Sequence, residues 1–101
     1  MRLKPNQLEI IKKYAIEMFG KDCKIYIFGS RTDNSKKGGD IDIFIETNLD
    51  LESIQKKKIK FIVQLIKTLG EQKIDVIIFN PNLMKNLPIY TAAKKEGIRI
   101  Y

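Results

Sequence analysis

The sequence contains no histidine and a single cysteine, Cys23. The absence of histidine excludes a Ser-His-Asp triad, a Cys-His catalytic pair and most zinc sites. One cysteine cannot form an internal disulfide. With no histidine to act as its base, we interpret Cys23 as a small hydrophobic or strand-edge residue rather than a reactive thiol. Any metal ion that this chain binds must therefore be held by oxygen.

Long apolar runs are also missing, since none approaches the roughly 20 residues that a membrane-spanning helix needs. The start, from Met1 to Pro5, lacks the apolar stretch of a signal peptide, so we expect a cytoplasmic protein. The composition, 44% hydrophobic and 31% charged, is typical of a folded globular protein. We find no repeat, linker or low-complexity segment, and we expect a single domain over residues 1–101.

The net charge of +7 favours an anionic partner, such as a nucleotide, RNA or an acidic protein surface. A solvated helix face is the default explanation for many of the lysines, so we do not predict specific nucleic-acid binding. These lysines fall in one helical stretch: Lys56, Lys57, Lys58, Lys60 and Lys67.

Hydrophobic spacing and turn residues predict the order α-β-β-α-β-α, which describes an α/β (α+β) fold with helices packed on a small mixed β-sheet. The predicted helices run from Pro5 to Gly20, from about Asp50 to Leu69, and around residues 90–95. The predicted strands in this order are 24–28, 40–46 and 73–79, and a short further strand at 98–101 would follow the last helix. In the second helix we expect these residues to face inward: Leu51, Ile54, Ile62, Leu65, Ile66 and Leu69.

Gly29 and Ser30 follow the first predicted strand, and the polar segment 31–39 is predicted to be a loop. A glycine at such a position allows backbone N–H groups to approach a phosphate, and the serine hydroxyl adds a donor. Most Gly-Ser pairs are simple turns, so this pair alone is compatible with a turn or a phosphate site.

Asp40 and Asp42 are two residues apart in a predicted strand. Their carboxylates share one face, with Cα atoms about 7 Å apart. Two anions held so close repel each other, and Mg²⁺, which prefers oxygen ligands and binds substrate phosphates, would relieve that repulsion. The alternative is the solvent-facing polar side of an edge strand.

Asp75 is the only acidic residue in the apolar run from Ile74 to Phe79. Burying an unpaired carboxylate there is costly, so Asp75 either faces water or joins Asp40 and Asp42 as a third ligand and possible base. If the two strands are neighbours, the three carboxylates can face one pocket. Such a trio suits nucleotidyl transfer, in which two metal ions about 4 Å apart activate the attacking oxygen and stabilise the leaving pyrophosphate.

The combined pattern resembles a known family. Phe28-Gly29-Ser30, nine further residues and then Asp40-Ile41-Asp42-Ile43 resemble the hallmark of the DNA polymerase β-like nucleotidyltransferase superfamily. Ile74-Asp75-Val76 is similar to the later strand that carries the third carboxylate of that family. Gly29-Ser30-Arg31 and the ending at 97–101 are similar to the minimal nucleotidyltransferase (MNT) subfamily.

The resemblance implies a nucleotidyltransferase fold and a role for each motif residue. Gly29 and Ser30 would hold the triphosphate of ATP or another nucleoside triphosphate. Asp40 and Asp42 would bind two Mg²⁺ ions, with Mn²⁺ as an alternative. Asp75 would complete the site for the incoming hydroxyl.

The same resemblance implies a protein partner. MNT proteins of this size are often encoded beside a HEPN-domain toxin, act as its antitoxin, and in some pairs transfer AMP to a tyrosine of the toxin. We therefore expect an antitoxin that adenylylates a HEPN toxin. The rival interpretations are a non-catalytic module that neutralises its partner by binding, and a transferase acting on a small molecule such as an aminoglycoside. Arg31 either contacts phosphate or is a solvated loop residue.

Overall fold

In a computed structural model, the structure describes residues 4–28, 41–70, 73–83 and 97–101. These ranges contain two helices and four strands. Their bounds are α1 Pro5–Phe19, β1 Lys24–Phe28, β2 Ile41–Glu46, α2 Leu51–Leu69, β3 Ile74–Phe79 and β4 Ile98–Arg99.

The helix ends follow from local chemistry. Pro5 occupies the first turn of α1, where a missing N–H costs nothing. Asp50 caps α2 by accepting a hydrogen bond of 2.8 Å from the N–H of Ser53. Gly20 and Gly70 follow the two helices with φ of 96° and 92°, a backbone conformation that residues other than glycine rarely adopt. Both helices therefore begin and end where the sequence predicts.

The four strands form one mixed sheet in the order β3-β2-β1-β4. β1 pairs antiparallel with both β2 and β4, whereas β2 and β3 are parallel. The parallel pair requires a crossover, and α2 supplies it. The β1–β4 ladder continues past Arg99, since Ile100 donates to the carbonyl of Ile25 at 2.8 Å and Ile25 donates to the carbonyl of Tyr101 at 3.2 Å.

Both helices contribute apolar side chains to the main core of the protein. The rings of Phe19 and Phe61 meet edge to face with centroids 5.5 Å apart, which joins α1 to α2. From the sheet, the core takes alternate residues of the three longer strands: Ile25 and Ile27, Ile41, Ile43 and Ile45, and Ile74, Val76 and Ile78.

The side chains between these core residues point to the opposite face of the sheet. Phe44 lies at the centre of that face, with ring centroids 6.0 Å from Tyr26 and 5.9 Å from Phe79. All three rings are buried. Phe44 is two residues from Asp42 in β2, so the two side chains lie on the same face of the sheet.

The predicted α+β fold with a mixed sheet is confirmed. Two of the residues expected to face inward in α2 do not, because Leu51 is 49% exposed and Ile66 is 38% exposed. Leu51 is the first residue of the helix, and Ile66 is turned about 100° from the buried Leu65. Phe61, which the prediction omitted, is fully buried instead. The predicted helix around residues 90–95 lies outside the described residues. Within the described ranges, neither α1 nor α2 is long and apolar enough to cross a membrane.

Candidate active site

Asp42 and Asp75 lie side by side on adjacent strands. They are Cα partners in the parallel ladder between β2 and β3. Adjacent strands are about 4.8 Å apart, and residues paired in this way point to the same side of the sheet. Since Ile41, Ile43 and Val76 face the core, the two aspartates share the face opposite the helices.

The same position is reached by the end of β1. Phe28, the last residue of that strand, is the Cα partner of Asp42 in the antiparallel ladder. The N–H of Ile41 donates to the carbonyl of Lys73 at 3.0 Å, which fixes the starts of β2 and β3 to each other. The end of β1 and the starts of β2 and β3 therefore lie together at one end of the sheet.

The environment of the two carboxylates suits a cation. Asp42 is partly buried and Asp75 is exposed, so a ligand can approach from solvent. Like charges at adjacent positions destabilise a sheet, and a cation bound between them removes that penalty. Carboxylate oxygens are the donors that Mg²⁺ prefers. The pair can thus contribute oxygen ligands to a divalent ion on this face.

The remaining predicted site residues lie outside the described part of the chain. These are Gly29, Ser30, Arg31 and Asp40. Within residues 4–28, 41–70, 73–83 and 97–101, no group of three or more histidine, cysteine, aspartate or glutamate side chains is placed to hold a metal ion. The structure thus brings together Asp42 and Asp75, two of the three predicted carboxylates.

Glu46 lies on the same face of β2 as Asp42 but does not join this pair. It is four residues further along, which corresponds to about 13 Å of extended strand. Its carboxylate is mostly buried and Oε2 lies 3.3 Å from Nζ of Lys24. The alternating pattern of the sequence predicts which face a strand residue occupies, but not its role. In β2 the same face holds Glu46, which forms an ion pair with Lys24, and Asp42, which belongs to the candidate site.

A pocket of about 210 Å³ lies at the other end of the sheet, lined in part by Cys23, Thr47 and Leu49. Cys23 is a buried free cysteine, as the sequence predicts. Burial raises the pKa of its thiol to about 11, an effect that a hydrogen bond from the backbone partly offsets and the nearby Asp22 increases. The thiol is therefore protonated at neutral pH and is a poor nucleophile.

The chain matches a family model, described as a nucleotidyltransferase domain, over residues 8–100. That range contains the whole sheet with both aspartates. The chain belongs to the nucleotidyltransferase domain family. A search of curated proteins found no match.

Membership defines the general chemistry of this nucleotidyltransferase domain. The superfamily predicted from the motifs is confirmed, and the substrate class is a nucleotide. The chain is accordingly a transferase, from a family that usually uses divalent metal ions. A paired set of carboxylates on the sheet fits that usage, because hard oxygen donors match such ions.

Proposed function

We propose that this nucleotidyltransferase domain transfers AMP from ATP to a hydroxyl group, most specifically a tyrosine hydroxyl, of a partner HEPN toxin in the cytoplasm. The protein thereby acts as the antitoxin of an MNT pair. The observation that supports transfer best is the parallel register of Asp42 and Asp75 in a chain of this family. The toxin partner and the MNT subfamily rest on the resemblance of the sequence motifs.

Asp42 and Asp75 fit a divalent metal because both provide oxygen and are adjacent on one face. Asp40 precedes Asp42 by two residues, so we assign it as the third ligand. Bound Mg²⁺ or Mn²⁺, as a pair of ions, would neutralise phosphate charge and lower the pKa of the attacking hydroxyl.

The other site residues bind the triphosphate and accept the proton of the acceptor hydroxyl. Gly29 and Ser30 follow directly after Phe28, the β1 residue paired with Asp42, and we assign them and Arg31 to the triphosphate. Asp75 accepts the proton of the attacking hydroxyl. The hydroxyl oxygen forms a bond to the α-phosphorus as the bond between that phosphorus and the bridging oxygen breaks. Pyrophosphate leaves with the electron pair.

The experiment is label transfer from α-³²P-ATP, with Mg²⁺ and a co-purified HEPN partner. The variants are Asp42→Asn and Asp75→Asn, with Asp22→Asn as the matched control because Asp22 is exposed at the opposite end of β1. We expect labelled partner with the wild type and the control. Loss of about a hundredfold or more is expected with either site variant, because removing charge stabilisation in such a site costs that much.

Two other outcomes would contradict the proposal. Neutralisation of the toxin by Asp42→Asn with the complex intact would show that binding alone suffices, as in a non-catalytic module. Label that passes to a small molecule such as an aminoglycoside, and not to the partner, would show a different acceptor class.

A further inference from the structure

The solvent face of α2 carries an apolar stripe. Ile59, Val63 and Ile66 are spaced at i, i+4 and i+7, so they lie on one side of the helix. They are 66%, 44% and 38% exposed. Single exposed apolar residues are ordinary, but three in a row on one helix face form a continuous apolar surface.

A groove runs beside this stripe, between α2 and the last turn of α1. It has a volume of about 290 Å³ and is lined by both apolar and polar side chains. α1 and α2 are held together next to it by the Phe19–Phe61 contact and by a hydrogen bond of 3.3 Å from Thr68 to the hydroxyl of Tyr14. The groove is lined by Met18, Ile59, Lys60, Val63, Gln64 and Lys67.

The charges at this surface are of one sign. Two lysines and no acidic residue line the groove among the described residues. α2 as a whole holds five lysines and one glutamate, and that glutamate, Glu52, is 3.1 Å from Nζ of Lys56. A second copy of this chain docked here would set lysine against lysine, so the charge disfavours self-association and favours an acidic partner.

The apolar spacing further selects the kind of partner. A ridge at i, i+4 and i+7 beside a groove is the arrangement by which one amphipathic helix binds another. RNA would be held mainly by lysine–phosphate contacts and would leave the isoleucine and valine side chains unused.

We propose that the groove and stripe formed by Met18, Ile59, Lys60, Val63, Ile66 and Lys67 are a docking surface for an amphipathic helix with acidic flanks on a partner protein. The helix sets its apolar ridge against Ile59 and Val63, and its carboxylates meet Lys60 and Lys67. This surface lies on the helical layer, on the other side of the sheet from Asp42 and Asp75. The inference is independent of the proposed transfer reaction.

The test is fluorescence anisotropy with a labelled, helix-stabilised peptide that has leucine at i, i+4, i+7 and i+11 and glutamate at the flanking positions. A second peptide keeps the leucines and replaces each glutamate by lysine. We expect the acidic peptide to bind saturably and the lysine peptide not to bind. Added salt should weaken binding of the acidic peptide, because its charged contacts are at the surface.

Two double variants locate the site. Ile59→Glu/Val63→Glu should lower the affinity for the acidic peptide roughly tenfold or more, because it removes the central apolar contacts. Lys60→Glu/Lys67→Glu is expected to weaken it and to reduce its salt dependence. The matched control is Lys13→Glu/Lys21→Glu, which makes the same charge change at exposed positions outside the groove. Circular dichroism establishes that each variant is folded.

The proposal is overturned if the acidic peptide does not bind, if the lysine peptide binds equally, or if the control weakens binding as much as the groove variants. Binding to phosphatidylglycerol vesicles or an RNA oligonucleotide that exceeds peptide binding and requires Ile59 and Val63 would also overturn it, as would a dimer in sedimentation equilibrium that those substitutions disrupt. Asp42→Asn should bind the peptide like the wild type, so failure of the transfer reaction and failure of docking are separate results.

Discussion

The ring of Phe61 in α2 meets the ring of Phe19 at the end of α1 at an interplanar angle of 80°. Both residues are buried, and Phe61 is fully so. This edge-to-face contact connects the two helices. Phe19 also connects α1 to the sheet, because its carbonyl accepts a hydrogen bond of 3.1 Å from the hydroxyl of Thr47. The helical layer is thereby fixed to the end of β2.

Phe61→Ala is expected to lower the free energy of unfolding by about 3–5 kcal/mol, since it removes a large buried side chain and leaves a cavity. Such a loss is a large part of the stability of a small domain. Urea denaturation followed by circular dichroism measures it. Ile59→Ala, at a position 66% exposed on the same helix, is the control and should change stability by no more than about 0.5 kcal/mol. Equal effects of the two substitutions would show that Phe61 is not a core residue.

The cap of α2 makes stability depend on pH at the acidic end. The hydrogen bond from the backbone N–H of Ser53 is the main cause that lowers the pKa of Asp50 below its ordinary value of 3.8. A carboxyl group with a lowered pKa in the folded state stabilises the fold above the unfolded pKa. That contribution is lost as pH falls through the folded pKa.

Asp50→Ala should therefore lower the thermal unfolding midpoint at pH 7, and the difference from the wild type should shrink as pH falls below 3.8. Asp50→Asn keeps an N-cap acceptor but has no charge to titrate. It should retain most of the stability at pH 7. A difference between wild type and Asp50→Ala that is constant from pH 7 to pH 2 would contradict the assignment of the cap.

The thiol of Cys23 should react slowly with alkylating reagents in the folded protein. Its pKa of about 11, raised by burial, leaves little thiolate at pH 8. We expect the rate of iodoacetamide labelling to be far below that of the urea-unfolded chain, and to be still rising with pH above 9. Mass spectrometry of timed samples measures both rates. Rapid labelling of the folded protein at pH 7 would show that the thiol is exposed and activated.

The sequence predicts most of the fold because the local signals agree with one another. Pro5, Gly20 and Gly70 mark helix ends through backbone chemistry alone, and the strands follow from apolar runs between turn residues. The facing of α2 was predicted less well, because the apolar residues of this helix extend beyond the side that is buried in the core. Leu51 and Ile66 are as apolar as Phe61, and only the position of the helix over the sheet decides which of them is buried.

The candidate site was predicted in part for a similar reason. The face of each aspartate follows from period-two alternation, which needs no tertiary information. That Asp42 and Asp75 are neighbours follows from the parallel pairing of β2 and β3, and the sequence left that pairing open. The apolar stripe of α2 was not predicted, because the lysines of this helix indicate a solvated face and only Ile59 interrupts their run.

The adjacency of Asp42 and Asp75 predicts that metal ions stabilise the fold through both side chains. Millimolar Mg²⁺ or Mn²⁺ should raise the unfolding midpoint of the wild type, because a ligand that binds only the folded state adds to its stability. In Asp75→Asn the metal-dependent increase should be lost or greatly reduced.

In EDTA, however, Asp75→Asn should be as stable as the wild type or more stable by a few tenths of a kcal/mol, because one of two adjacent like charges is gone. Asp22→Asn should behave as the wild type under both conditions. A variant that is destabilised in EDTA, or that responds fully to Mn²⁺, would show that the carboxylate of Asp75 serves the scaffold rather than a metal site.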